Sequence, residues 1–250
     1  YDSRWEYSNK FSDISLRSYP PEIPENLTNV IVVALPMDYN LVKTVPSALS
    51  GSATGLGYSH DALTVLSVTQ YIRNLGYEAI GSMNDTSLAI PYAIQAGLGE
   101  YGRNGLLITQ KYGPRVRLGK IYTNLDLSHD KPIHFGVKEF CNICNICASE
   151  CPVKAIPFDA PSDVTYNQSN ISGVRKWSVD GEKCFSFWTA QNSDCSICIR
   201  VCPYNKDYSK SINRIGIKLA GTLLRNLILW IDLKLKNGKR QKSSNWWKAD

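Results

Sequence analysis

Eight cysteines, arranged in two sets with a shared spacing, constrain the fold of this 250-residue chain more than any other feature. The first set is Cys141, Cys144, Cys147 and Cys151, and the second is Cys184, Cys195, Cys198 and Cys202. In each set the last three cysteines are separated by two and then three residues, and a proline follows the last one. Three thiols about a turn apart can wrap one face of a compact metal centre, and the proline then directs the chain away from it.

This spacing is typical of bacterial ferredoxins, in which three thiolates bind one 4Fe–4S cluster and the fourth binds a second cluster. We therefore expect two clusters with crossed ligands. The first cluster is predicted to be bound by Cys141, Cys144, Cys147 and Cys202. The second is predicted to be bound by Cys184, Cys195, Cys198 and Cys151. Two clusters of this kind imply electron transfer.

Zinc and disulfides are the alternatives for so many cysteines. Structural zinc favours paired CxxC units separated by a longer loop, which these triplets do not match. Disulfides suit small secreted domains, whereas a chain of this length with 43% hydrophobic residues can bury a sufficient core without them. The spacing therefore favours the iron–sulfur interpretation.

Composition and charge divide the chain into three regions. Residues 1–135 have the pattern of an α/β region, residues 136–208 contain every cysteine, and residues 209–250 are predicted to form a basic amphipathic helix and tail. Residues 206–250 hold eleven Lys/Arg and three Asp/Glu, although the whole chain carries only +6. Such a tail suits anionic lipid or an acidic protein, and no nucleic-acid-binding motif accompanies it.

Hydrophobic periodicity and turn residues predict the main elements. These are a buried strand over 29–36, a helix from Ser59 to Gly76, a shorter helix after 85–87 that ends at the glycines 97 and 99, a hairpin pairing 106–109 with 116–122, and an amphipathic helix over 215–235. The longest apolar run near the C-terminus, 227–231, is too short to span a membrane. The first thirty residues contain no targeting signal, so we expect a processed or partial chain.

Two other patterns carry less information. The segment from Gly97 to Gly102 matches GxGxxG, but it follows a helical stretch instead of a strand, so it predicts a loop with close backbone contacts in place of a dinucleotide site. The three histidines, His60, His129 and His134, show no metal-ligand spacing.

Several motifs in one order resemble those of the corrinoid-dependent reductive dehalogenase catalytic subunits. The similar segments are 96–109, 112–118, 130–140, 184–188 and 195–203, and the match extends from about Val30 to the C-terminus. The Gly-Arg-Asn-Gly-Leu-Leu-Ile and Arg-Val-Arg-Leu segments are also similar to epoxyqueuosine reductases. The segment Cys-Phe-Ser-Phe-Trp at 184–188 resembles the dehalogenase branch.

The resemblance implies an α+β fold with a nitroreductase-like, corrinoid-binding core followed by the two-cluster ferredoxin-type domain. It implies the reaction R–X + 2e⁻ + H⁺ → R–H + X⁻ on a small organohalide such as a chlorinated ethene. Electrons would pass through both clusters to the cobalt of a cobamide. The sequence has no Asp-x-His-x-x-Gly segment, so we expect that cobamide to be base-off.

The resemblance also assigns candidate site residues. The family's catalytic tyrosine, asparagine and arginine correspond to Tyr58, Asn84 and Arg117. Tyr58 would donate the proton, and because a phenol is a weak acid, the Arg117 guanidinium would stabilise the phenolate. Thr54 and Trp188 are expected in the substrate pocket wall. The loop glycines Gly97, Gly99 and Gly102 are expected to contact the corrinoid.

The family further implies export to the outer face of the cytoplasmic membrane and a small integral-membrane protein as anchor, and it leaves the electron donor open. Two alternatives remain at this point. One is an epoxyqueuosine reductase-like enzyme acting on tRNA, with Asp85 as proton donor. The other is an electron-carrying ferredoxin module without catalysis. In the leading interpretation no nucleic acid is expected.

Overall fold

The computed structural model describes residues 22–167 and 170–247, and predictions for the other residues lie outside this part. The strands are β1 (Asn29–Pro36), β2 (Ala79–Ser82), β3 (Glu100–Tyr101), β4 (Leu107–Ile108) and β5 (Val116–Thr123). The helices are α1 (Tyr39–Val42), α2 (Ala48–Asn74), α3 (Ala89–Gln95), α4 (Val137–Ile143), α5 (Ile146–Glu150), α6 (Gly181–Gln191), α7 (Ile197–Arg200), α8 (Ser211–Ala220), α9 (Arg225–Leu235) and α10 (Ser243–Trp246). This mixture of helices and antiparallel strands agrees with the predicted α+β class.

The chain forms two compact units. The described residues of 22–36, 56–99 and 116–133 make up the first unit, and those of 37–55, 100–115 and 134–247 make up the second. This division differs from the boundaries expected at 135 and 208. Residues from 37–55 belong to the cysteine-rich unit because Met37 and Ala53 pack around Ile199 there. Residues after 208 belong to it because Ala220 packs with Phe140.

The first unit is built on a three-stranded antiparallel sheet in the order β1-β5-β2. Neighbouring residues of β5 face opposite sides, so that each face has its own core. Ile121 packs with Val65 and Ile72 of α2, whereas Tyr122 packs with Tyr92 of α3. At Gly119, a Cβ would lie 2.4 Å from Val65 Cγ2, so this glycine lets α2 approach the central strand closely.

The predicted strand over 29–36 is confirmed as β1, but the helix expected from Ser59 begins earlier, at Ala48. Ser47 acts as its cap, because its Oγ accepts a hydrogen bond from the Ser50 backbone N–H at 3.2 Å. Glycines at 51, 55 and 57 lower the helix propensity of the first three turns, so the helical periodicity is clear only further along the chain.

The predicted hairpin pairing 106–109 with 116–122 is wrong. Residues Leu107 and Ile108 pair with β3, and β5 pairs with β1 and β2. The turn at 112–114 is real, but it closes a short loop in which Thr109 and Gly113 exchange backbone hydrogen bonds. Strand pairing between distant segments overrides the local turn signal here.

The second unit consists mostly of short helices around the cysteines. One of its hydrophobic clusters contains Cys141 and Cys144 with Cys202 packed against it, and another contains Cys147 and Cys151 with Cys184, Cys195 and Cys198 packed against it.

The amphipathic helix predicted over 215–235 is two helices, α8 and α9. They are separated at Gly221, where a Cβ would lie 2.2 Å from the Phe135 carbonyl oxygen, so the chain must bend past that segment. Much of their apolar surface is exposed, since Ile212 of α8 is 71% exposed and Leu235 of α9 is 66% exposed, and Leu223 in the turn between them is 92% exposed. No helix in the described ranges is both long and apolar enough to cross a bilayer.

Candidate iron–sulfur centres and active site

The cysteines lie at helix ends and in the turns between short helices of the second unit. Cys141 is in α4, Cys147 in α5, Cys184 in α6 and Cys198 in α7. All eight are free thiols, which excludes the disulfide alternative for this structure. No group of three or more His, Cys, Asp or Glu side chains among the described residues is placed to hold a single metal ion.

The electrostatic neighbours of each thiol indicate which cysteines lie close together. Burial raises the pKa of Cys202, and its proximity to Cys141, Cys147 and Cys144 raises it further. Burial likewise raises the pKa of Cys184, with further contributions from Cys195 and Cys151. The neighbours of Cys202 are thus the first predicted set, and Cys151 lies with the second.

The two sets are themselves neighbours. Burial raises the pKa of Cys198, and the thiols that add to this effect include Cys147 of the first set as well as Cys195, Cys184 and Cys151. Buried thiols that crowd one another are unfavourable as thiolates without a cation, and coordination to iron supplies that positive charge. The two thiol sets therefore fit two adjacent 4Fe–4S clusters.

In the first unit, Tyr58, Asn84 and Arg117 are brought together by three different elements. Tyr58 is in α2, Asn84 follows β2, and Arg117 is in β5. Asn84 Nδ2 donates to the Tyr58 phenolic oxygen at 3.2 Å, and Arg117 NH1 donates to it at 3.4 Å. Because that oxygen accepts both bonds, its own proton is available for a third group. Asn84 is exposed and the other two residues are half-buried, so the phenol reaches solvent.

Two buried charged residues near this group were missed by sequence reasoning. Lys120 is 0% exposed, and its ammonium donates to the backbone oxygens of Met83 and, at 2.9 Å, Ser87. Asp61 is 1% exposed, and burial raises its pKa to about 6 against the opposing effects of Lys120 and Arg117. Charged residues are rarely fully buried, so no sequence pattern marks either side chain as buried.

Asp85, the proton donor in the tRNA-modifying alternative, has a local structural role. Its Oδ1 accepts hydrogen bonds from the Ser82 hydroxyl at 2.8 Å and from the Met83 backbone N–H at 3.0 Å. A carboxylate held in this way closes the turn between β2 and α3.

The two residues expected in the pocket wall belong to the second unit. Thr54 Oγ1 donates to Asp194 Oδ2 at 2.7 Å, which ties α2 to the loop before Cys195. Trp188 is 37% exposed and its ring centroid lies 6.2 Å from that of Phe185. Their role in a substrate pocket stays a prediction.

The glycine loop is explained in part by packing within the chain itself. Gly97 has φ +69°, and a Cβ there would lie 2.7 Å from the Lys131 carbonyl oxygen. At Gly102 a Cβ would lie 2.8 Å from Ile108 Cγ1. Gly99 is buried. The loop follows α3 and leads into β3, so it does not have the strand-to-helix setting of a dinucleotide site.

Comparison with known protein families first identifies the kind of domain that contains the cysteines. Residues 140–205 match a family described as a 4Fe-4S double cluster binding domain. The second unit is therefore an iron–sulfur domain with two clusters, as the cysteine spacing predicts.

The wider comparison finds similarity to reductive dehalogenases beyond the cluster-binding residues. The chain is 46% identical over 182 residues to a tetrachloroethene reductive dehalogenase of Desulfitobacterium hafniense, covering 71% of this chain and 33% of the relative. It is 45% identical over 199 residues to the tetrachloroethene reductive dehalogenase of Dehalobacter restrictus, which covers 76% of this chain and 36% of that relative. A solved reductive dehalogenase, whose structure suggests a mechanism for B12-dependent dehalogenation, superimposes with a TM-score of 0.75 at 30% identity, covering 84% of this chain and 31% of that one.

The chain is similar to reductive dehalogenases over about three quarters of its length, and it spans about a third of the length of the relatives that it matches.

Proposed function

We propose that the protein to which this chain belongs catalyses reductive dehalogenation of a small organohalide, R–X + 2e⁻ + H⁺ → R–H + X⁻, with a chlorinated ethene as the expected kind of substrate. The observation that carries the proposal is the Tyr58 phenolic oxygen, which accepts hydrogen bonds from both Asn84 and Arg117. The naming of two relatives as tetrachloroethene reductive dehalogenases supports the substrate class.

In this proposal the eight cysteines would hold two clusters, which would supply single electrons when bound. Burial and nearby hydrogen-bond donors set the potential of such centres, and the thiols here are largely buried within hydrophobic clusters. The crossed ligands Cys151 and Cys202 tie the two centres together, which favours electron transfer from one to the other.

Tyr58 supplies the proton to the carbon that loses the halide. The Arg117 guanidinium stabilises the phenolate that remains, both by its charge and by its hydrogen bond. Asn84 orients the phenol, so that the proton points away from both donors. Thr54 and Trp188 are proposed as substrate-pocket wall residues, as the family resemblance implies.

A base-off cobamide is the proposed second cofactor, bound in a nitroreductase-like core. When bound, it would supply the low-potential cobalt at which the carbon–halogen bond is reduced. The exposed Asn84 amide beside the Tyr58 phenol offers a polar contact for the amide rim of a cobamide, and the exposed Leu56 side chain of the same unit offers an apolar surface for its ring. Gly97, Gly99 and Gly102 are proposed to contact it through the backbone.

The proposed setting is the outer face of the cytoplasmic membrane, with a small integral-membrane protein as anchor. The basic residues of 206–250 and the exposed apolar side chains of α8 and α9 support a contact of this kind.

The test is anaerobic reconstitution with iron and sulfide, followed by titration with a cobamide and an assay with tetrachloroethene beside epoxyqueuosine-containing tRNA. We expect about eight irons per chain, retention of corrin absorbance after gel filtration, and chloride release. Iron-loaded protein that takes up no corrin would favour the plain electron carrier. Turnover of the tRNA instead of the chloroethene would favour the epoxide-reducing alternative.

A further inference from the structure

Arg103 is a buried arginine that is neither a predicted cluster ligand nor part of the proposed dehalogenation chemistry. It lies in the loop between β3 and β4 and is 3% exposed. Its Nε donates to the carbonyl oxygens of Cys141 and Cys144, both at 3.1 Å, and its NH2 donates to Cys141 O at 2.9 Å. Its NH1 donates to the carbonyl oxygens of 157–159 at 2.8 to 3.0 Å. The whole guanidinium is thus held by backbone carbonyls around the first cysteine set.

None of these partners carries a charge. Within the described ranges, no carboxylate lies at salt-bridge distance from Arg103. The nearby Glu100 carboxylate is engaged elsewhere, since it accepts hydrogen bonds from the backbone N–H groups of Phe135 and Gly136. The guanidinium also lies over the Trp177 ring, 5.1 Å from its centroid. A buried charge whose partners are all neutral is costly, so a negative group close by is expected to compensate for it.

The first cysteine set would supply that negative group when its thiols bind iron as thiolates, because Arg103 donates to the carbonyl oxygens of two of these cysteines. Thiolates on an iron cluster would give Arg103 the counter-charge that the protein itself does not supply.

We propose that Arg103 is a positioning and charge-compensating residue of the first 4Fe–4S cluster, which holds the carbonyls of Cys141 and Cys144 and raises the reduction potential of that cluster. The cluster gains one negative charge on reduction, and a fixed buried cation stabilises the more negative form. The second cluster, whose predicted ligands are Cys151, Cys184, Cys195 and Cys198, has no such contact to Arg103 among the described residues. The inference rests on the cluster binding within the proposed function and does not depend on dehalogenation.

The experiment is a redox titration of the anaerobically reconstituted chain, followed by electron paramagnetic resonance, for the parent, Arg103→Gln and Arg103→Lys. In Arg103→Gln we expect the ratio of reduced to oxidised first cluster at a fixed potential to fall at least tenfold, which is about 59 mV for a one-electron couple. The signal of the second cluster should shift much less. Arg103→Lys keeps the charge, so its first cluster should remain close to the parental potential.

Arg175→Gln is the matched control, because it removes one positive charge from an exposed arginine of the same unit whose Nε donates to Pro161 O. Solvent screens that charge, so neither cluster should shift. An Arg103→Gln protein with a full iron content and an unshifted first cluster would overturn the inference.

If Arg103→Gln instead loses the first cluster, Arg103→Lys decides the outcome. Retention by the lysine variant supports charge compensation. Equal loss in both variants would mean that the hydrogen bonds to the carbonyls matter and the charge does not, which overturns the charge-compensating role and its effect on the potential. A parent chain that binds no clusters would count against the proposed function itself, which separates the two failures.

Discussion

The guanidinium of Arg117 lies over the ring of Tyr58, with its central carbon 4.4 Å from the ring centroid, while NH1 donates to the phenolic oxygen at 3.4 Å. One arginine therefore contacts both the π-face and the acidic oxygen of the same side chain. Tyr58→Phe retains the ring contact and removes only the proton. We expect dehalogenation to fall by about 10²- to 10⁴-fold, the usual contribution of a positioned general acid.

The measurement is chloride release by cobamide-loaded protein at saturating substrate, with iron content and corrin uptake determined on the same samples. Tyr71→Phe is the control, since Tyr71 is an exposed tyrosine of the same helix. A Tyr58→Phe protein that dehalogenates at the parental rate would remove Tyr58 from the proton-transfer role.

The crossed ligands predict how iron is lost in cysteine variants. Cys151 follows the first three cysteines in the chain but is grouped by its surroundings with Cys184 and Cys195. Cys151→Ser and Cys195→Ser should each lower the iron content from about eight to about four, and the double variant should still hold about four. Combining Cys151→Ser with Cys141→Ser should remove nearly all of it.

Iron and sulfide assays on the anaerobically reconstituted variants measure how many irons each one retains, and electron paramagnetic resonance identifies the cluster that remains. The opposite pattern, in which Cys151→Ser and Cys141→Ser together leave about four irons, would mean that each run of four cysteines binds its own cluster.

The features that the sequence predicted well are local ones. The cysteine spacing and the buried strand β1 depend on residues near one another in the chain, so their patterns survive folding. The pairing of β5 with β1 and β2 depends on contacts over long separations, which a local turn signal cannot reveal. The same holds for Arg103, because its guanidinium binds carbonyl groups far away in the chain and such contacts do not affect the hydrophobic pattern of the sequence.

The site residues also depend on contacts between distant parts of the chain. Tyr58, Asn84 and Arg117 could be proposed only through the family resemblance, because their separation in the chain hides their contact. Lys120 was not anticipated, because lysine in a strand is normally read as solvent-facing. Its burial follows from the carbonyls of Met83 and Ser87, which the turn after β2 directs toward it.

Lys120 should make stability depend on pH above neutrality. Burial lowers its pKa from 10.5 to about 8, with Asp85 and Asp61 opposing the shift. Between about pH 8 and 10.5 the unfolded chain binds a proton that the folded chain has lost, so the free energy of unfolding rises with pH in this window. The gain relative to Lys120→Met should reach at most about 3 kcal/mol.

Urea denaturation of the anaerobic protein at a series of pH values from 7 to 10, with parent and variant compared at each pH, isolates this contribution. Lys131→Met, which changes an exposed lysine of the same unit, should follow the parental curve. If the free energy of unfolding changed with pH in the same way for the parent and Lys120→Met, the pKa of Lys120 would not be lowered by folding and the prediction would be wrong.

Gly113 supports the segment that carries a cluster ligand. It has φ +58°, and a Cβ would lie 2.0 Å from the carbonyl oxygen of Tyr204, two residues after Cys202. Gly113→Ala must therefore displace backbone, not a flexible side chain, and it also forces an L-residue into the left-handed region at a cost of about 1–2 kcal/mol. We expect the segment around Cys202 to move and the first cluster to be lost before the second.

The measurement is the time course of iron release to a chelator, read cluster by cluster from the paramagnetic signals. Gly216→Ala is the matched control, because Gly216 lies inside α8, has no atom within 4 Å of an added Cβ, and should gain up to about 1 kcal/mol in helix propensity. Equal release from both clusters in Gly113→Ala would indicate general unfolding. Release at the parental rate would mean that the loop at 109–113 moves aside without disturbing the Cys202 segment, which contradicts the rigid contact between Gly113 and Tyr204.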